Sequence, residues 1–230
     1  MSLEFKFANA KQLVEQTLEL DYFCEDAPAI PYLWAPSAAT NPLIVVVGEN
    51  ASGKSFFRRC VQAVCNKAQV ECIPISMEGR RQVAYNIGLT FVYGDESCDA
   101  TGINSIRTVL TGIKTCEGRD KPHVIVWDEP DVGLSEGNAA SVGKAIADFT
   151  RSTPKLTRAS IVVTHRKALV TELARERPHY LYLGAVDGPT TVDAWLAQPP
   201  IVRSLEDVQN AARERFRAIQ KILNRVKAHT

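Results

Sequence analysis

The stretch 41-NPLIVVVGENASGKSFFRRC-60 decides the fold. Leu43 to Val47 is a run of five apolar residues, Leu-Ile-Val-Val-Val, which fits a strand buried on both faces. The run breaks at Gly48, and four residues separate that glycine from Gly53-Lys54-Ser55, after which a helix is predicted over 54–67. Strand, Gly-x-x-x-x-Gly-Lys-Ser and helix together make the phosphate-binding loop pattern. Its chemistry is that of backbone N–H groups across Gly48, Glu49, Asn50, Ala51, Ser52, Gly53, Lys54 and Ser55 turned inward, with the positive end of a helix aimed at the same spot. An anion is expected there. Lys54 is expected to reach terminal phosphates, and the Ser55 hydroxyl to coordinate magnesium. A surface glycine turn is the competing reading, and it leaves the preceding strand without a purpose.

Downstream, 123-HVIVWDEPDVGLSEG-137 offers a second buried strand that ends in two adjacent carboxylates. Asp128 is expected to hold the metal through water and Glu129 to act as the base for an attacking water. Acidic residues also cap loops after strands, which is the plainer alternative. Thirty-seven residues after Asp128, the apolar run of ASIVVTHRKA ends in Thr164-His165. A strand-end histidine in a chain that already carries both phosphate elements is a candidate catalytic group.

Loop, strand-Asp-Glu-Pro and strand-Thr-His, in that order, resemble the ABC-type ATPases over about residues 32 to 170. The Asn-Lys-x-Asp string of GTPases is absent. The resemblance implies an α/β fold of the P-loop NTPase kind, with a mostly parallel sheet covered by helices on both faces. It also implies ATP and Mg2+ as cofactors, His165 touching the terminal phosphate, Glu129 as base, and two heads that sandwich ATP. The family's signature, usually Leu-Ser-Gly-Gly-Gln or -Glu, does not occur as such. Counting back twenty-seven residues from Asp128, as in SMC-like members, reaches Thr101. Ala100-Thr101-Gly102-Ile103-Asn104 resembles a degraded signature in which Thr101, Gly102 and Asn104 would meet a partner's phosphate. An ordinary helix N-cap at Thr101 is the alternative.

Only 46 residues separate Lys54 from Thr101, too few for a transporter's helical subdomain or a coiled-coil arm. The chain therefore resembles a minimal head of the soluble SMC, RecF and RecN-like branch, which includes compact AAA-type ATPases of phage and of bacterial DNA repair and defence. Where many relatives carry a closing aspartate, Ser135 and Glu136 stand instead. Gln82 is the candidate phosphate sensor. Tyr32 and Trp34 are candidates for adenine stacking, or else core residues.

At 230 residues, 45% hydrophobic and 23% charged, the chain suits one domain: residues 1–42 packed on a core of 43–185, and 186–230 as a C-terminal extension. A net charge of +1 exerts no global pull toward nucleic acid, so any basic surface must be local. Six cysteines without a Cys-x-x-Cys pair read as reduced, buried thiols in the cytoplasm, and neither a signal-peptide core nor a spanning segment is expected. Further strands are predicted near 3–7, 69–76, 89–93, 123–127 and 159–164, and helices near 9–20, 102–114 and 137–151, with PYLWAP read as Pro-broken.

From Ser204 to Val226, Leu205, Val208, Ala212, Phe216, Ile219, Leu223 and Val226 share one helical face, with arginines elsewhere. That helix is expected either to pack on the core or a second subunit, or to present a basic surface to DNA together with Arg58-Arg59 and Arg80-Arg81. The expected activity is ATP hydrolysis in an ATP-dependent homodimer acting on DNA or a partner protein, without a membrane. A nucleotide-dependent sensor with negligible turnover is the alternative.

Overall fold

The computed structural model describes residues 5–24, 28–38, 40–76 and 100–228. Among the described residues six strands form one sheet in the order β1-β6-β2-β5-β4-β3. They are β1 (Tyr32–Ala35), β2 (Leu43–Val47), β3 (Glu71–Ile75), β4 (His123–Asp128), β5 (Thr157–Val163) and β6 (His179–Leu183). All neighbours run parallel except β1, which pairs antiparallel with β6 at the edge.

The period-2 alternation of strand side chains divides each central strand between two cores. Ile44, Val46, Val124, Val126, Ile161 and Val163 face one side, against α1 (Ala10–Leu18), α3 (Lys54–Lys67) and the C-terminal helix α8 (Leu205–Ala228). Leu43, Val45, Val47, Ile125, Trp127 and Val162 face the other. There they meet α4 (Thr101–Glu117), α5 (Glu136–Arg151), α6 (Lys167–Ala174) and α7 (Val192–Ala197). A short α2 (Asp21–Cys24) follows α1 and places Phe23 in the first core. Trp127 is fully buried, and its indole N–H donates to Ser160 Oγ at 3.0 Å.

The mostly parallel sheet with helices on both faces is the architecture expected, and its departures have local causes. Residues 5–7 lie outside the sheet: Phe5 and Phe7 are buried, but the carbonyl of Lys6 accepts from Gln16 and that of Phe7 from Arg158. PYLWAP, read as broken by its prolines, contains β1, because an edge strand of four residues fits between Pro31 and Pro36. Pro74 sits inside β3, where it is the register partner of Val126 in β4. β6, α6 and α7 were not expected. The strand predicted at 89–93, together with Arg80, Arg81, Gln82 and Cys98, lies outside the described residues.

The cysteines differ from one another: Cys60, Cys65 and Cys116 are buried, Cys72 is half-buried, and Cys24 is exposed, contrary to the expectation for all six. Among the described residues no helix is long and apolar enough to cross a membrane.

Candidate functional site

β5 lies between β2 and β4, so three strand ends stand in a row. Val163 pairs with Val46 on one side and with Asp128 on the other. The ladder continues past the strands, because Thr164 N donates to Val46 O at 3.1 Å and Glu129 N to Val163 O at 2.8 Å. The Gly48 loop, Thr164-His165 and Asp128-Glu129 therefore share one edge of the sheet, the carboxyl edge where ligands of open parallel sheets sit.

The loop itself is held in a conformation that its sequence permits. Gly48 has φ 153°, and a Cβ there would lie 2.3 Å from Leu183 O. Ala51 and Gly53 have positive φ, whereas Ser52 between them does not. Backbone that alternates in hand this way turns successive N–H groups toward one concavity. Lys54, the first residue of α3, is 7% exposed, and its Nζ donates to Gly48 O at 2.7 Å and Glu49 O at 2.9 Å. Burial lowers the Lys54 pKa, opposed by the charges of Glu129, Glu49 and Asp128. The ammonium is thus desolvated and directed across the loop, where an anion of high charge would stabilise it.

Glu129 follows β4 in the left-handed region, with φ 52°. His165 Nδ1 stands 3.3 Å from its Oε1. The hydrogen bond from His165 lowers the Glu129 pKa despite burial, with the charges of His165 and Lys54 adding to it. The same hydrogen bond raises the His165 pKa. The carboxylate is consequently ionised at neutral pH.

Asp128 is engaged from behind. Arg58 Nε, one turn along α3 from Lys54, lies 3.0 Å from Asp128 Oδ2, with the two side chains 6% and 14% exposed. Arg58 is therefore not part of a surface basic patch with Arg59, which does remain exposed. For magnesium the donor set is one hydroxyl at Ser55 and one carboxylate at Asp128, which fits an ion that keeps several waters and takes further oxygens from phosphate. Among the described residues no group of three or more His, Cys, Asp or Glu could hold a metal on its own.

Two residues absent from the sequence reading fix the relation between the strand ends. Asp131 is 3% exposed; it accepts from Thr164 Oγ1 at 3.1 Å through Oδ1, and from Arg166 Nε at 2.8 Å through Oδ2. Arg166 also donates to Leu134 O at 3.2 Å and Glu136 Oε1 at 2.9 Å. The loop after β4 is thereby tied to the residues on either side of His165. Opposite charges just past two apolar strands, in DEPD and THR, were the available signal. Ser135 caps α5, its hydroxyl accepting from Asn138 N.

Within Thr101–Asn104 the structure separates the residues. Ala100, not Thr101, is the N-cap of α4, so the simple capping alternative does not describe Thr101. Ile103 is exposed, whereas Asn104 is fully buried and accepts from Arg107 at 3.2 Å, which takes it off any surface a second chain could reach. A Cβ on Gly102 would lie 2.7 Å from Gly133 O, so this glycine is required by close packing within its own chain.

A cleft of about 360 Å³ opens beside the loop. Its lining includes Lys54, Ser55, Phe56 and Arg59 of α3, Glu129, and Arg215 and Phe216 of α8. Neither Tyr32 nor Trp34 is among its lining residues: Tyr32 packs edge-on to Phe23 at 6.1 Å, and Trp34 lies 5.7 Å from the His179 ring. On the other flank of the loop a second cleft of about 270 Å³ includes His165, Lys167, Trp195 and Ile201. No protein-family model matches the chain, and no curated protein sequence matches it.

Proposed function

We propose that the chain binds ATP with Mg2+ at the Gly48–Ser55 loop and hydrolyses it in the manner of a soluble ABC-type ATPase. One observation carries the reading: the desolvated Lys54 ammonium and the ionised Glu129 carboxylate face one cleft, with His165 3.3 Å from Glu129. In this reading Lys54 and the loop N–H groups hold the phosphate chain. Glu129 accepts a proton from water as its oxygen bonds the terminal phosphorus and the bond to the leaving phosphate oxygen breaks, giving ADP and inorganic phosphate. His165 holds the Glu129 carboxylate in place through its hydrogen bond. The ion, when held between Ser55 and Asp128, would offset phosphate charge.

Water is best excluded from the cleft by a second copy that sets the start of α4, at Thr101 and Ile103, over the phosphates. Glu129→Gln tests the chemistry. ATP binding should persist while hydrolysis falls about a hundredfold or more. Parent-like hydrolysis in that variant would remove Glu129 from the role. The pairing of Asp128 with Arg58 favours, as a second reading, a slow nucleotide-gated sensor, in which closure rather than turnover is the output. Turnover near zero with and without duplex DNA would select it.

A further inference from the structure

α8 is anchored by its second half. Ile219 and Ile222 are buried in the core formed with α1 and α3, while Phe216 is 62% exposed and Leu205 85%. Arg215 fastens the middle of the helix to the loop, donating to Ala29 O at 2.7 Å and to Ala51 O at 3.5 Å. Burial lowers its pKa, so its charge is partly desolvated where it stands. Ala212, Arg215, Phe216 and Ile219 recur at the spacing of one helical stripe, and that stripe is a wall of the cleft that holds Lys54 and Ser55.

The cleft is therefore polar and cationic at the loop, and aromatic with a guanidinium at α8. That division suits a ligand with an anionic chain at one end and a flat heteroaromatic ring at the other. We propose that α8 is the base-recognising wall of the nucleotide site: Phe216 is the platform on which the nucleobase stacks, and Arg215 holds that platform at the right height above the loop. The proposal rests on the phosphate-binding reading of the loop and adds where the base goes. It also assigns the C-terminal extension to the ligand site of its own chain. The β1 aromatics do not compete for the role, because Tyr32 and Trp34 are engaged elsewhere.

The test compares ATP with inorganic tripolyphosphate by isothermal titration in magnesium buffer, using the parent protein, Phe216→Ala and Phe216→Trp. Phe216 is exposed, so neither change should disturb folding. Stacking of one base on one ring predicts about a tenfold or greater loss of ATP affinity in Phe216→Ala, parent-like affinity in Phe216→Trp, and unchanged tripolyphosphate binding in all three. Equal ATP affinity in the parent and Phe216→Ala would overturn the base platform while leaving the phosphate reading intact. Equal loss of ATP and tripolyphosphate would overturn it too, since Phe216 would then act on the loop. A parent protein that binds neither compound would remove both readings.

Discussion

Arg58 Nε lies 3.0 Å from Asp128 Oδ2, joining the second turn of α3 to the end of β4. Both side chains are largely withdrawn from water, so a close opposite charge stabilises each of them where it stands. Removing one partner takes a close opposite charge away from the other: Arg58→Met is expected to destabilise the fold by about 3–5 kcal/mol in urea unfolding. Adding Asp128→Leu to Arg58→Met should recover much of that loss. Strictly additive single and double variants would show that the two groups do not interact.

The Glu129–His165 contact should be visible in a titration. His165 is raised above its ordinary 6.5 and Glu129 is lowered below 4.5 by the same hydrogen bond. Its contribution to stability is thus fully present between about pH 4.5 and 6.5, the unfolded-chain values. It fades as pH rises through the elevated His165 value and as pH falls through the depressed Glu129 value. Both side chains are substantially exposed, so the contribution is small. NMR of the imidazole should show the His165 midpoint falling toward 6.5 in Glu129→Gln, and a midpoint that does not move would count against the contact.

Dimerisation should follow ATP. Glu129→Gln at saturating ATP is expected to accumulate a dimer by light scattering, and Ile103→Asp should prevent it by placing a carboxylate against the partner's phosphate. Ile103 is the suitable position because it is exposed, whereas any side chain at Gly102 would first disturb Gly133 of its own chain. A variant that remains monomeric throughout would leave the start of α4 without this role.

Two glycines in α5 should respond oppositely to alanine. At Gly137 a Cβ would meet nothing within 4 Å, so the gain in helix propensity should stabilise by about 0.5–1 kcal/mol. At Gly143 a Cβ would lie 2.5 Å from Leu169 O in α6, and the helices would have to part. Thermal unfolding of Gly137→Ala and Gly143→Ala should give shifts of opposite sign; shifts of the same sign would contradict the packing of α5 on α6.

A basic surface for DNA, if the chain uses one, falls on α8, where Arg213, Arg217 and Lys221 are exposed. Binding through them should weaken steeply with salt as counterions are released. Gel shifts with ATP present at low and moderate salt, on the parent and on a triple Glu variant of those positions, provide the check. No shift at any salt would remove DNA as a partner.

The parts of the site that could be read from the sequence are those set by local chemistry. β2 announces itself by the apolar run LIVVV, β4 by VIVW and β5 by IVV just before Thr164, and the Gly48 loop by glycines whose φ and crowding leave no alternative. Arg58 and Asp128 are seventy residues apart, and nothing local distinguishes Arg58 from Arg59 except which side of α3 meets the sheet. Asn104 looks like a surface polar residue until α4 is docked against β4. HYLYL hides its strand, because its tyrosines and histidine blur the apolar signal although all five residues are buried in β6. The α8 stripe was legible as a helix but not in its use, since Ile219 and Ile222 take the core while Leu205, Ala212 and Phe216 remain in solvent.

The left-handed backbone at Glu129 bears on how this chain could change. A glutamate is uncommon there, and Gly or Asn would occupy the same φ with less strain, a relief on the order of 1 kcal/mol. Position 129 is thus a place where thermal tolerance and the carboxylate pull in opposite directions. A library randomised at that codon and screened only for surviving heat should drift toward Gly and Asn, and a screen that demands chemistry should hold it at Glu.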